Sequence, residues 1–286
     1  MNVIVALFLA GSVVAVPLML RALDHPSDAT AGRLLDVVRR AAIPALLALA
    51  VAFAVASPSR GVLAVPWLVV AGLGAAAAGF DALSVARRDV GAVIRPSRRH
   101  ATWAALVFLA VGAGHAAADR FGVQPFGFAP TIVLLTAVHF HIAGFVLLVA
   151  GLDTERVGPW MGTRIGLGAT IIGIPVTAIG FFGVSVAALV GALLVSAGGA
   201  LIGGGVLLTA SHRQSEPGRW LARVAGLSLL IAMPLAAAYA IGQASGTSWL
   251  DVPLMARTHG ALNVLGFAIP IAIATALESR AAAALR

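Results

Sequence analysis

Ionisable and amide side chains set deep inside apolar sequence are costly to keep from water and tend to mark function. This chain holds three such groups. His139 and His141 stand in the stretch TAVHFHIAGF. On a helix turning about 100° per residue they lie about 200° apart, so the rings point to opposite sides and do not chelate one metal as an i, i+4 pair can. One ring is expected to face a site, with His139 favoured, and the other to hydrogen-bond a neighbouring helix; both are candidate substrate-binding residues. In RTHGALN, His259 and Asn263 are four apart and share a helical face that Gly266 and Pro270 continue. Thr258 is placed to cap that helix and Arg257 to hold an anionic group. His115 and Asp119 form the third group, again four apart, and Asp81, Tyr239 and Gln243 are further candidates near the ends of apolar segments.

Buried imidazoles suit either hydrogen bonding to a ligand or general acid–base chemistry. Three histidines are enough for zinc, but carboxylate partners are scarce and nothing has the HExxH spacing, so no metal and no cofactor are expected. The absence of Cys removes disulfides, thiolate metal sites and cysteine nucleophiles. There is no dinucleotide or phosphate-loop fingerprint, no serine elbow and no close carboxylate pair; the run at Gly203–Gly205 lacks the lysine that a phosphate loop needs.

The elements that must position these groups follow from composition. Of 286 residues, 60% are hydrophobic and 10% charged, whereas soluble domains are roughly 25% charged. Such a chain cannot cover a water-facing surface and needs lipid as its solvent. Its net charge of +8 is carried by arginine alone. The arginines lie between apolar segments, which is topology signalling and not a nucleic-acid surface; no nucleic-acid partner is expected, and membrane lipid is.

Crossing about 30 Å of hydrocarbon takes about 20 apolar residues. Nine stretches qualify, at 2–20, 41–56, 61–80, 101–118, 128–151, 161–182, 184–210, 220–242 and 258–277. The second is short, and Gly183 is all that divides the sixth from the seventh, which leaves a tight hairpin or a broken helix open there. The fold class is all-α: a polytopic bundle, one transmembrane domain over 1–286, with basic cytoplasmic loops at 22–40 and 81–100. With the amino terminus outside and the carboxyl terminus in the cytoplasm, every arginine except Arg60, Arg120 and Arg257 falls on the cytoplasmic side, as the positive-inside rule requires. The localisation is then the cell inner (plasma) membrane. The first stretch has no basic residue before it and Arg21 after it, so it is read as a retained span and not a cleaved signal. The segment 28–40 has the pattern of a short amphipathic helix that Asp28 or Thr30 caps. Gly162/Gly166 and Gly199/Gly203 have the four-residue spacing of close helix packing.

The two motif stretches also carry a resemblance. His139, Phe140, Gly144 and Phe145, followed by Thr258, His259, Gly260, Asn263, Gly266 and Phe267, resemble the YndJ-like family of bacterial polytopic membrane proteins, with His141 as a departure. The resemblance implies the membrane bundle and the two histidine patches; transporter is a usual label for its members, and it brings no reaction with it. Three functions are in play. One is a transporter or carrier of a small or lipid-like molecule, with an outward-facing pocket lined by His139, His259 and Asn263. The second is a membrane-embedded enzyme acting on a lipid or isoprenoid, with His139 as general acid or base. The third is a structural or accessory subunit, which needs neither patch.

Overall fold

Hydrocarbon offers no hydrogen bonds, so a spanning backbone must satisfy its own N–H and C=O groups, and a helix does this segment by segment. The computed structural model describes residues 3–56, 58–94, 97–247 and 250–284. Asn2, which opens the first expected span, and Arg95 and Arg286, counted among the inner arginines, lie outside the described residues. Among the described residues the chain is all helical, with no strand. Nine segments there are long and apolar enough to cross a membrane: Val3–Ala22, Ala29–Ala54, Arg60–Arg88, Arg98–Phe121, Pro130–Val157, Met161–Gly180, Ser185–His212, Glu216–Ser245 and Val252–Ala281. This is a multi-pass membrane protein in contact with lipid. The chain divides into two compact units, one of Phe8–Phe145 and one of Met1–Leu7 with Val146–Arg286.

In the Phe8–Phe145 unit the short second apolar run is part of a longer helix. The expected amphipathic segment and the span are one helix of 26 residues, about 39 Å long at 1.5 Å per residue. Asp28 starts it by accepting a hydrogen bond from Ala31 N at 2.9 Å, and nothing between Arg33 and Ala41 breaks it, so the backbone continues where hydropathy changes. Arg39 lies against the end of the first span, donating from Nε to the Leu20 carbonyl at 3.1 Å and from Nη2 to that of Leu23 at 2.8 Å. These are carbonyls a helix terminus leaves unpaired. Asp81 is buried and accepts from Ser27 N at 3.1 Å, Ser27 Oγ at 3.2 Å and Trp103 Nε1 at 3.0 Å. Those bonds tie the connection after the first span to the third and fourth spans.

In the other unit the sixth and seventh spans are two helices, joined by a turn in which Gly183 takes φ +93°. Their contact repeats every seven residues and not every four. A methyl on Gly166 would lie 2.7 Å from the Gly198 carbonyl oxygen, one on Gly198 would lie 2.8 Å from the Gly166 carbonyl oxygen, and one on Gly173 would lie 2.9 Å from Val195 N. Gly180 meets the Ala188 backbone and Gly191 that of Thr177 in the same antiparallel register. Gly199 and Gly203 turn to the eighth span, where they meet Met233 and Leu229, and Gly226 completes that approach at 2.8 Å from the Gly203 carbonyl oxygen. Gly162 does not join either seam; it lies under the Trp160 indole. Two glycine faces on one helix let it approach two neighbours at backbone distance.

The ninth span starts earlier than its hydropathy indicates. Asp251 caps it by accepting from Leu254 N at 2.7 Å, with Pro253 in the first turn, a pairing suited to a helix start. Thr258 is therefore not the cap. Its hydroxyl donates back to the Leu254 carbonyl at 2.8 Å, and RTHGALN lies inside the helix.

Candidate functional site

Regular helices give way at the two motif stretches. Among the described residues, π-helical backbone occurs at Phe140–Val146 in the fifth span and at Ala256–Gly260 and Leu262–Ala268 in the ninth. Hydrogen bonds of the i→i+5 type widen the helix and rotate the residues that follow. Such turns are rare and concentrate at functional sites.

His141 sits at the start of the first π segment, with no exposed surface. Its Nδ1 lies 2.8 Å from the Ala137 carbonyl oxygen, and Trp67 Nε1 donates to its Nε2 at 2.9 Å. A carbonyl only accepts and an indole N–H only donates, so both ring nitrogens are engaged and the tautomer is set. Phe8 packs edge-on at 5.1 Å, and a methyl on Gly112 would lie 2.7 Å from Nδ1. His141 is thus a strut joining the fifth span to the third. Trp67→Phe leaves Nε2 of this ring without its donor in a dry core. The expected loss is about 1–3 kcal/mol, read as a lower midpoint of thermal unfolding in detergent; an unchanged midpoint would mean that water reaches the ring.

His139 points elsewhere. It is exposed, about 14 Å along the fifth span at 1.5 Å per residue, and its Nδ1 donates to the Leu135 carbonyl at 2.7 Å. His115, on the fourth span, is half-exposed and repeats the arrangement, with Nδ1 donating to the Val111 carbonyl at 2.9 Å. Its ring lies parallel to that of Phe140, with centroids 6.4 Å apart. Asp119 does not join His115. Arg120 takes it in a two-pronged ion pair and also lies over the Phe53 ring at 3.9 Å.

In the Val146–Arg286 unit, His259 Nδ1 donates across to the Ala232 carbonyl of the eighth span at 2.9 Å. Asn263 Nδ2 donates to the His259 carbonyl at 2.7 Å and lies 3.2 Å from both ring nitrogens. The shared face read from the spacing is thus a direct contact between the two side chains. Arg257 is exposed on the same π turn; Tyr239 is half-buried and Gln243 exposed. Among the described residues no three metal-ligating side chains converge.

One buried charge pair was missed from the sequence. Arg213 has no exposed surface, and its Nη2 donates to Asp153 Oδ2 at 2.7 Å, where Thr275 Oγ1 also donates at 2.8 Å. The fifth, seventh and ninth spans are joined through that one carboxylate oxygen. Arg213 Nε and Nη1 have no partner. An arginine that follows an apolar run, as Arg213 does, reads from the sequence as a topology signal and not as a buried partner. Asp153 stands two residues past the expected end of the fifth span at 151, whereas the helix runs on to Val157 and carries it inside. Near it, Glu155 accepts from Arg164 Nε at 2.6 Å and from Trp160 N at 3.0 Å, which fixes the turn between the fifth and sixth spans.

No curated protein and no solved structure matches the chain. A family model described as YndJ-like protein matches residues 5–267, nearly the whole chain and both histidine stretches. With its helical, membrane-spanning architecture and those stretches in place, the chain belongs to the YndJ-like family.

Proposed function

We propose that this protein is a carrier of a small or lipid-like molecule in the bacterial inner (plasma) membrane, with its amino terminus outside and its carboxyl terminus in the cytoplasm. His139 and His115 are one set of ligand-contacting groups, and His259, Asn263 and Arg257 are a second set, each within its own unit. The observation that carries this reading is the coincidence of π-helical backbone with both histidine stretches. A widened turn breaks the even packing of a span and presents polar atoms where a regular helix would bury or pair them. The exposed imidazole of His139, well inside a span, is the second support, because a polar group at that depth is costly unless something pairs with it. His141 and Asp119 support the groups around them, since their polar atoms are taken by Trp67, Ala137 and Arg120.

The reading is tested in a deletion strain. Restoring the wild-type gene is expected to restore the distribution of one solute or lipid between cell and medium, or between leaflets, without chemical change to it. His139→Ala and His259→Ala are each expected to lose at least about tenfold of that rate, one hydrogen bond to the ligand in a dry site, while reaching the membrane in normal amount. Full complementation by both variants would remove the carrier site. A chemically altered lipid that depends on His139 would instead make the protein an enzyme.

A further inference from the structure

Resting on the carrier reading, we infer that the molecule met by His115 and His139 is a lipid-like alcohol, one whose hydroxyl donates a hydrogen bond to imidazole. The two rings share a chemical state imposed by their own helices. Each Nδ1 faces a main-chain carbonyl oxygen four residues back, Val111 for His115 and Leu135 for His139. A carbonyl has no hydrogen to give, so each Nδ1 carries one, and a neutral ring then presents its lone pair at Nε2. No described residue donates to either Nε2. In His141 the same arrangement is completed by the Trp67 indole N–H. The protein thus shows within one unit what an Nε2 of this kind accepts, and leaves two of them open.

The two histidines stand at nearly one level along their antiparallel helices. Gly112 packs against Phe140 Cβ and Gly144 against Phe108 Cβ, at 3.0 and 2.8 Å for a built methyl, which sets the antiparallel register of the fourth and fifth spans. In that register His115 and His139 are offset by about two residues, or about 3 Å along the axis. The Phe140 ring lies parallel to His115 with 2° between the planes, a flat apolar surface next to the acceptors. The exposed apolar side chains Val107 and Val111 continue it along the fourth span. Carboxylate and phosphate oxygens are acceptors and would meet lone pair against lone pair at low dielectric. An ammonium donates but is expensive to bring into hydrocarbon. A hydroxyl on an acyl or isoprenoid chain donates at small cost, while its chain lies on the apolar face.

The test uses the full-length protein in lipid nanodiscs and three photoactivatable long-chain probes of matched length: an alcohol, its methyl ether and its carboxylate. The alcohol is expected to label residues 98–145 saturably and the methyl ether about tenfold less well, since one hydrogen bond in a dry setting is worth about that factor. His139→Phe combined with His115→Phe is expected to bring alcohol labelling down toward the ether level. His139→Gln combined with His115→Phe, which keeps one acceptor, retains it. Equal labelling by alcohol and ether, or carboxylate labelling as strong as alcohol, overturns the inference. The two readings fail separately: alcohol binding with no effect of His139→Ala on any cellular distribution sinks the carrier and keeps this inference, whereas His139-dependent carriage of an anion does the reverse.

Discussion

Gly198→Leu is expected to separate the sixth and seventh helices and cost about 3 kcal/mol or more, the upper range for forcing bulk into a packed contact. The reason is what stands opposite. The first carbon of a side chain at 198 already meets the Gly166 carbonyl oxygen at 2.8 Å and Thr170 N at 3.1 Å. Main-chain atoms on a helix cannot swing aside as a side chain can, so the two axes must part along the whole seam. The loss is read as a fall in the midpoint of thermal unfolding in detergent and in the yield of monodisperse protein. Gly168→Leu, on the same hairpin, is the control, because nothing lies within 4 Å of its built methyl and no loss is expected. If both substitutions were equally damaging, glycine would serve these helices in some way other than close approach.

The second large effect concerns Asp153. Asp153→Ala removes the carboxylate from Arg213 and strands a guanidinium with no exposed surface. Breaking a buried pair from one side costs about 3–5 kcal/mol, whereas replacing both partners by apolar groups of similar size is often neutral or better. Asp153→Leu combined with Arg213→Met is therefore expected to unfold at or above the wild-type midpoint, since Arg213 Nε and Nη1 lack partners in the native protein as well. The ordering single variant, then wild type, then double variant is the outcome to check. A single variant as stable as the wild type would mean that solvent already reaches the pair.

The nine spans were legible because the thickness of hydrocarbon imposes a length that few sequences meet by chance, and every apolar stretch but the second met it. The boundaries that failed did so for one physical reason. A helix stops where capping groups and backbone geometry stop it, and Asp28 and Asp251 stand well outside the apolar runs they start. Hydropathy reports the solvent of a residue and not the conformation of its backbone. The glycine seam was half legible. Small residues signalled close approach, but the four-residue pairs hid the seven-residue repeat of Gly166, Gly173 and Gly180, which emerges only once a partner helix is known.

At the candidate site, spacing correctly separated His139 from His141 and joined His259 to Asn263, because both follow from the turn of one helix. It was silent on the π segments, whose shifted bonds leave no trace in residue type. It was equally silent on contacts made over long separations. Arg213 and Asp153 stand 60 residues apart and Thr275 and Asp153 122 apart, and Asp119 turned to its sequence neighbour Arg120 where the i, i+4 rule had offered His115.

The second helix has one further consequence. Although it is about 39 Å long in all, the part beyond Arg40 within Ala29–Ala54 rises only about 21 Å, less than the roughly 30 Å of an average hydrocarbon layer. Arg40 is exposed, so its guanidinium must reach back to headgroups along its own aliphatic stem. Thinning of the bilayer beside this helix is one way to meet the remaining shortfall. The protein would then carry a shallow dimple with it through the membrane, and membranes with shorter acyl chains would seat it with less elastic cost.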